Sequence, residues 1–153
     1  MAISCARYPA GNASGNKEIA LKPRLLLDTH VLVRWGVDVK KLSRSQRRAL
    51  DEAAERGEPV ALSAMSLLEI ALLASGTRRV FRVSLEDFLR DLDSNPAILL
   101  LPLTSEVALE AAAIGNGWDP ADRAIVATAR VHRLKLVTSD QRIIESRLVA
   151  TIE

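Results

Sequence analysis

The stretch Arg24-Leu25-Leu26-Leu27-Asp28-Thr29-His30 decides how the rest of the chain is read. Three consecutive leucines are too few for a free-standing helix and match a strand buried on both faces. That strand ends in a carboxylate. Open α/β sheets bind ligands at the edge where their parallel strands emerge, so Asp28 is a candidate for chemistry. Its role depends on which other acids reach it.

Outward from this strand, helix and strand signals alternate. A short helix is expected over His30 to Trp35, ending near Gly36. Ser43 N-caps a helix to Glu55 or Arg56, closed by Gly57. Pro59 to Ser63 reads as the second strand. Ser63 or Ser66 caps a helix through Ala74 that stops at Gly76. Thr77 to Val83 is basic and alternating, an extended excursion. Ser84 caps Leu85 to Asp93, ended by Asn95-Pro96. Ala97 to Leu101 is a third buried strand, and Thr104 caps an alanine-rich helix to Ile114. Asp119-Pro120 opens a helix to about His132, with aspartate as N-cap and proline in the first turn. Leu134 to Thr138 is the fourth strand, a short helix follows Asp140, and Leu148 to Ile152 is the fifth. This alternation predicts an α/β fold, a parallel sheet with helices on both faces.

Composition sets limits on function. The chain has 153 residues, 48% of them hydrophobic, which suits one packed domain. Residues 1–22, rich in turn formers and without apolar period, read as a flexible N-terminal leader, and residues 23–153 as the domain. Aromatic residues are only 3%, which argues against a platform for stacking single-stranded bases. Lys40, Lys41, Arg44, Arg47 and Arg48 form one basic cluster, and Arg78, Arg79 and Arg82 another. Such clusters are solvated faces unless an acidic site nearby makes them tracks for a phosphate backbone. The single cysteine, Cys5, excludes an internal disulfide and a cysteine zinc cluster, and fits a reducing compartment. The first residues lack the apolar core of a signal peptide, and no apolar run is long enough to cross a bilayer. A cytoplasmic protein is expected.

Four acids break the apolar pattern around them. Asp28 ends strand one. Glu69 shares a helical face with Met65, Leu72 and Leu73, so it is expected to point inward. Asp122 shares its face with Ile125, Val126 and Ala129. Asp140 follows Val137-Thr138-Ser139 at the end of strand four. Each also has a structural reading: Asp28 and Asp140 as N-caps, Glu69 in a capping box with Ser66, Asp122 as a helix-dipole partner. Inward-facing or strand-end placement recurs at all four, and capping does not require it. Two carboxylates about 5 Å apart repel by roughly 3 kcal/mol at an effective dielectric near 20. A converging quartet stays ionised only with cations among it, and all-oxygen ligation selects Mg²⁺ or Mn²⁺ over zinc. Magnesium held by carboxylates activates water for attack on phosphodiesters without a protein nucleophile.

Leu26-Leu27-Asp28-Thr29-His30, Ser66-Leu67-Leu68-Glu69, Asp119-Pro120-Ala121-Asp122-Arg123-Ala124-Ile125-Val126-Ala127-Thr128-Ala129 and Leu136-Val137-Thr138-Ser139-Asp140 together resemble the four motifs of a PIN domain. Within that family the chain is similar to the VapC toxins of bacterial type II toxin–antitoxin modules, from about Pro23 to Ile152. The resemblance implies a three-layer fold with strand order 3-2-1-4-5 and a Mg²⁺- or Mn²⁺-dependent endoribonuclease. It implies Asp28, Glu69, Asp122 and Asp140 as the catalytic and metal-binding acids, with Asp119 and Thr138 in support. It also implies a VapB-type antitoxin as partner and a homodimer.

Arg123 is a candidate contact for a scissile phosphate or an antitoxin carboxylate; its alternative is an outward salt bridge. Thr29 and Ser66 either bond to the acids or cap helices. Two other functions are open to a strand ending in aspartate. A phosphatase of the haloacid dehalogenase type needs a second aspartate two residues on, and His30 stands there. A non-catalytic PIN-like module that binds RNA or protein does not need the quartet.

Overall fold

The structure, a computed structural model, describes residues 22–75 and 84–153. The leader expected over residues 1–22 falls, but for Lys22, outside the described residues, as does the excursion expected over Thr77 to Val83.

Five strands, β1 (Leu25–Leu27), β2 (Val60–Ser63), β3 (Ile98–Leu101), β4 (Lys135–Val137) and β5 (Thr151–Ile152), form one sheet in the order β3-β2-β1-β4-β5. Every pairing is parallel. This is the strand order the resemblance implies. Among the described residues seven helices connect the strands: α1 (Thr29–Val37), α2 (Arg44–Glu55), α3 (Ala64–Ser75), α4 (Leu85–Ser94), α5 (Ser105–Ala113), α6 (Pro120–Val131) and α7 (Gln141–Ser146). A single 3-10 turn, Val39–Lys41, joins α1 to α2.

The three leucines of β1 are all buried, and their alternation feeds two cores. Leu25 and Leu27 join Val31, Leu32, Leu50, Ile70, Phe88 and Leu92 on the face covered by α1 to α4. Leu26 joins Val107, Ile125, Val126, Leu136 and Ile143 on the face covered by α5 to α7. A strand apolar on both faces therefore requires three layers, and the chain supplies them.

Helix starts follow the capping signals. Ser43 accepts from Gln46 N at 3.0 Å while Gln46 Oε1 accepts from Ser43 N at 3.1 Å, a complete capping box. Ser84 and Thr104 cap α4 and α5 through Asp87 N and Val107 N. Two expectations need correction. Helix α1 runs through Gly36 to Val37 instead of ending at Trp35. Strand β3 is not buried on both faces: it pairs only with β2, at the edge of the sheet, and Leu99 and Leu100 are 41% and 39% exposed. An apolar run marks a strand but carries no information about how many neighbours it has. Among the described residues no helix is long and apolar enough to cross a membrane.

The contrast between centre and edge is testable. Leu26, with no exposed surface, is expected to cost about 3 kcal/mol on replacement by alanine, and Leu100→Ala less than about 1 kcal/mol. Urea unfolding of the two variants checks this; equal losses would contradict the edge placement of β3.

Candidate active site

Because β1 and β4 pair in parallel, with Leu27 opposite Val137, both strands leave the sheet at one edge. Asp28 N donates to Val137 O at 3.0 Å, and Asp28 O accepts from Leu32 N to begin α1. Asp28 is buried and stands at the N-cap position, yet its carboxylate makes no capping bond. Its Oδ2 accepts instead from the Thr138 hydroxyl at 2.6 Å. Thr138 Oγ1 in turn accepts from Asp140 N at 3.0 Å. One buried hydroxyl thus joins the ends of both strands, and the capping reading of Asp28 is excluded.

Glu69 reaches the same edge from α3. Thr29 Oγ1 lies 2.5 Å from Glu69 Oε2 and 2.9 Å from Ser66 Oγ. The threonine has one proton, and the carboxylate is the stronger acceptor. The sequence argument for Glu69 used the wrong neighbours. Leu72 and Leu73 are 63% and 47% exposed, so the face they share with Glu69 is not a core face. Glu69 is half-buried, and Thr29, on the first turn of α1, donates to it. The capping box with Ser66 also fails, since both residues lie inside a helix that starts at Ala64.

Helix α6 brings two acids. Asp119 is its N-cap, exposed, and accepts from Ala121 N at 2.9 Å, with Pro120 following. Asp122 sits in the first turn, half-buried, ahead of the buried run Ala124 to Ala129. Its carboxyl is pushed up to about 6, first by burial and then by the charges of Asp140, Asp119, Asp28 and Glu69. The α6 N-terminus favours a carboxylate by only about 0.5 kcal/mol, so burial and like charge win. Asp140 does serve as a cap: its Oδ1 accepts from Arg142 N at 2.8 Å and Ile143 N at 3.3 Å at the start of α7.

All five acids therefore gather at one end of the sheet, close enough for Asp122 to feel the other four. Among the described residues no ion pair involves any of them. Nor do three of them close around a common point at metal-ligand distance. The cluster fits a hard divalent cation by chemistry, with oxygen donors only and no described ion pair within it, but its carboxylates are not preassembled as a cage. Arg123 is half-buried beside Asp122 and, among the described residues, joins no ion pair.

Sequence reading missed two sets of contacts made by residues around the acids. Arg142 stacks over Trp118 with its guanidinium carbon 4.9 Å from the ring centroid and donates to Gly117 O. Gln46, fully buried, donates to Thr138 O and to Ser139 Oγ. The capping box made Gln46 legible as a helix-start residue; its long-range bonds left no trace in local pattern.

A parallel five-stranded sheet in this order, with acids collected at the strand ends, defines a PIN-type α/β domain. Residues 25–147 match the PIN domain family, and the chain belongs to it. Ribonuclease VapC22 of Mycobacterium tuberculosis is 34% identical over 121 residues, covering 78% of this chain and 88% of that protein. Among solved structures, FitAcB from Neisseria gonorrhoeae is similar at 26% identity with a TM-score of 0.57, covering 84% of this chain and 96% of the other. The DNA-bound VapBC from Salmonella typhimurium shares the fold at 18% identity, with a TM-score of 0.58 and the same coverage.

The raised Asp122 carboxyl has a measurable consequence. An acid whose folded pKa is raised contributes stability that is complete below its unfolded value, about 4. That contribution is lost as pH rises through about 6. In the presence of chelator, Asp122→Asn should therefore be more stable than wild type at pH 7.5, by about 1 kcal/mol once the screening of a half-exposed group is counted. The difference should vanish at pH 4. Urea unfolding at the two pH values checks it, and a pH-independent difference would contradict the crowding of acids around Asp122.

Proposed function

We propose that this chain is a VapC-type endoribonuclease toxin that hydrolyses RNA phosphodiester bonds at its acidic cluster with Mg²⁺, or Mn²⁺ in its place. The observation that carries the reading is Asp122, a carboxyl crowded by four other acids that join no described ion pair. Similarity to Ribonuclease VapC22 supports the same activity.

In this reading Asp28, Glu69, Asp122 and Asp140 would hold the metal. A divalent ion bound there would supply acidity to an attacking water and offset charge on the phosphate. Thr138 orients the Asp28 carboxylate, and Thr29 orients that of Glu69. Asp119 fixes the start of the helix that carries Asp122. Arg123 is assigned to the scissile phosphate, which gives a half-buried cation a partner. The exposed basic residues Lys40, Lys41, Arg44, Arg47 and Arg48, on the turn before α2 and along it, suit the RNA backbone. The expected partners are a VapB-type antitoxin and a second copy of the chain, and the expected compartment is the cytoplasm.

One observation favours a second reading, a non-catalytic PIN-like module that binds RNA or protein: the acids are not gathered at ligand distance. Cleavage separates the two. With Mg²⁺ or Mn²⁺ the purified chain should cut an RNA pool, chelator should abolish this, and Asp28→Asn or Glu69→Gln should each lower the rate roughly a hundredfold or more. Binding without cleavage in any pool would favour the module. Equal cutting by wild type and both variants would trace the activity to a contaminant and overturn the site.

A further inference from the structure

The loop that leaves β4 is held from two sides. Toward the acids, the Thr138 hydroxyl donates to Asp28 and accepts from Asp140 N. Away from them, the Gln46 amide donates through Nε2 to Thr138 O at 3.2 Å and to Ser139 Oγ at 2.9 Å. Arg34 Nη1 reaches the same Ser139 oxygen at 3.0 Å. Gln46 Oε1 is used as well, accepting from Ser43 N. Both Nε2 bonds and the Oε1 bond are thus in place on a side chain with no exposed surface.

We propose that Gln46 is a positioning residue for the metal site, clamping residues 138–140 so that the Thr138 hydroxyl and the Asp140 carboxylate keep their places beside Asp28. The inference rests on the metal-site reading above. The chemistry of the position supports it. Glutamine and glutamate serve equally at the third position of a capping box, because only the acceptor is used there. The clamp needs the donors, which only glutamine has. Thr138 is buried, so its carbonyl without Gln46 would have lost a partner that water does not readily replace. Relaxation of that strain moves the residue whose hydroxyl orients Asp28. Partners that orient metal-ligating side chains commonly contribute tenfold to a hundredfold in affinity.

The test compares Mn²⁺ binding by the full chain, followed by loss of the free-ion paramagnetic signal, with melting temperature in chelator. Gln46→Met keeps the volume and adds no charge to the cluster. Ser43→Ala weakens the same capping box from its other side and also loses the Ser43 bond to Glu153 O, but removes no bond made to Thr138 or Ser139. Both variants should melt a few degrees lower than wild type. Only Gln46→Met should bind Mn²⁺ more weakly, by about tenfold. Unchanged affinity in Gln46→Met overturns the proposal, and so does an equal loss in Ser43→Ala, which would make the effect one of general stability. If Gln46→Met fails to melt cooperatively, Ser139→Ala, at an exposed position, decides: about threefold weaker binding supports the clamp, and wild-type affinity overturns it. Failure of the underlying reading looks different, since Asp28→Asn would then bind Mn²⁺ like wild type.

Discussion

Leu27 lies opposite Val137 in parallel register, and so the residues that follow β1 and β4 leave the sheet side by side. Asp28 and Thr138 meet there at 2.6 Å. The other site acids are placed relative to this meeting point. Thr138 also receives Asp140 N, and Thr29, the next residue after Asp28, takes Glu69. A slip of one residue between β1 and β4 would send Asp28 to the opposite pleat and break its bond to Thr138. The two apolar cores forbid it, because Leu26 and Leu27 would exchange faces.

The arrangement works against its own stability. Asp122 carries a carboxyl raised to about 6 by burial and by four like charges. Each close pair of carboxylates adds a repulsion on the order of 1–3 kcal/mol at an effective dielectric near 20 or above. The scaffold offsets this with capping bonds at Asp119 and Asp140, with hydroxyls on Asp28 and Glu69, and with two cores that lock β1. A protein under no functional constraint would lose such a cluster, since replacing any one acid relieves the others. A binding partner of opposite charge, as proposed, would give the cluster a purpose.

Much of the fold was legible in the sequence because its signals are local. Ser43, Ser84, Thr104 and Asp119 each sit at a helix start and cap it as expected. The run Leu25 to Leu27 implied burial on both faces, and three layers follow from it. The strand order came from family resemblance, since no local pattern encodes which strands are neighbours. Where reading failed, the missing information was tertiary. Leu99 and Leu100 looked like core because an apolar run does not reveal a sheet edge. Leu72 and Leu73 made Glu69 look inward-facing, yet both are exposed; what meets Glu69 at the site is Thr29, forty residues away. Gln46 is separated from Thr138 by ninety-two residues, and its capping role concealed the second one.

The account stands on one claim, that the acids at the β1 and β4 ends hold a divalent cation. The most direct measurement is a crystal soaked in Mn²⁺ and examined by anomalous diffraction. The expected result is a peak between Asp28, Glu69, Asp122 and Asp140, with carboxylate oxygens about 2.0–2.3 Å from it. A saturating soak that leaves this cluster empty, or that places manganese only elsewhere, would contradict the claim.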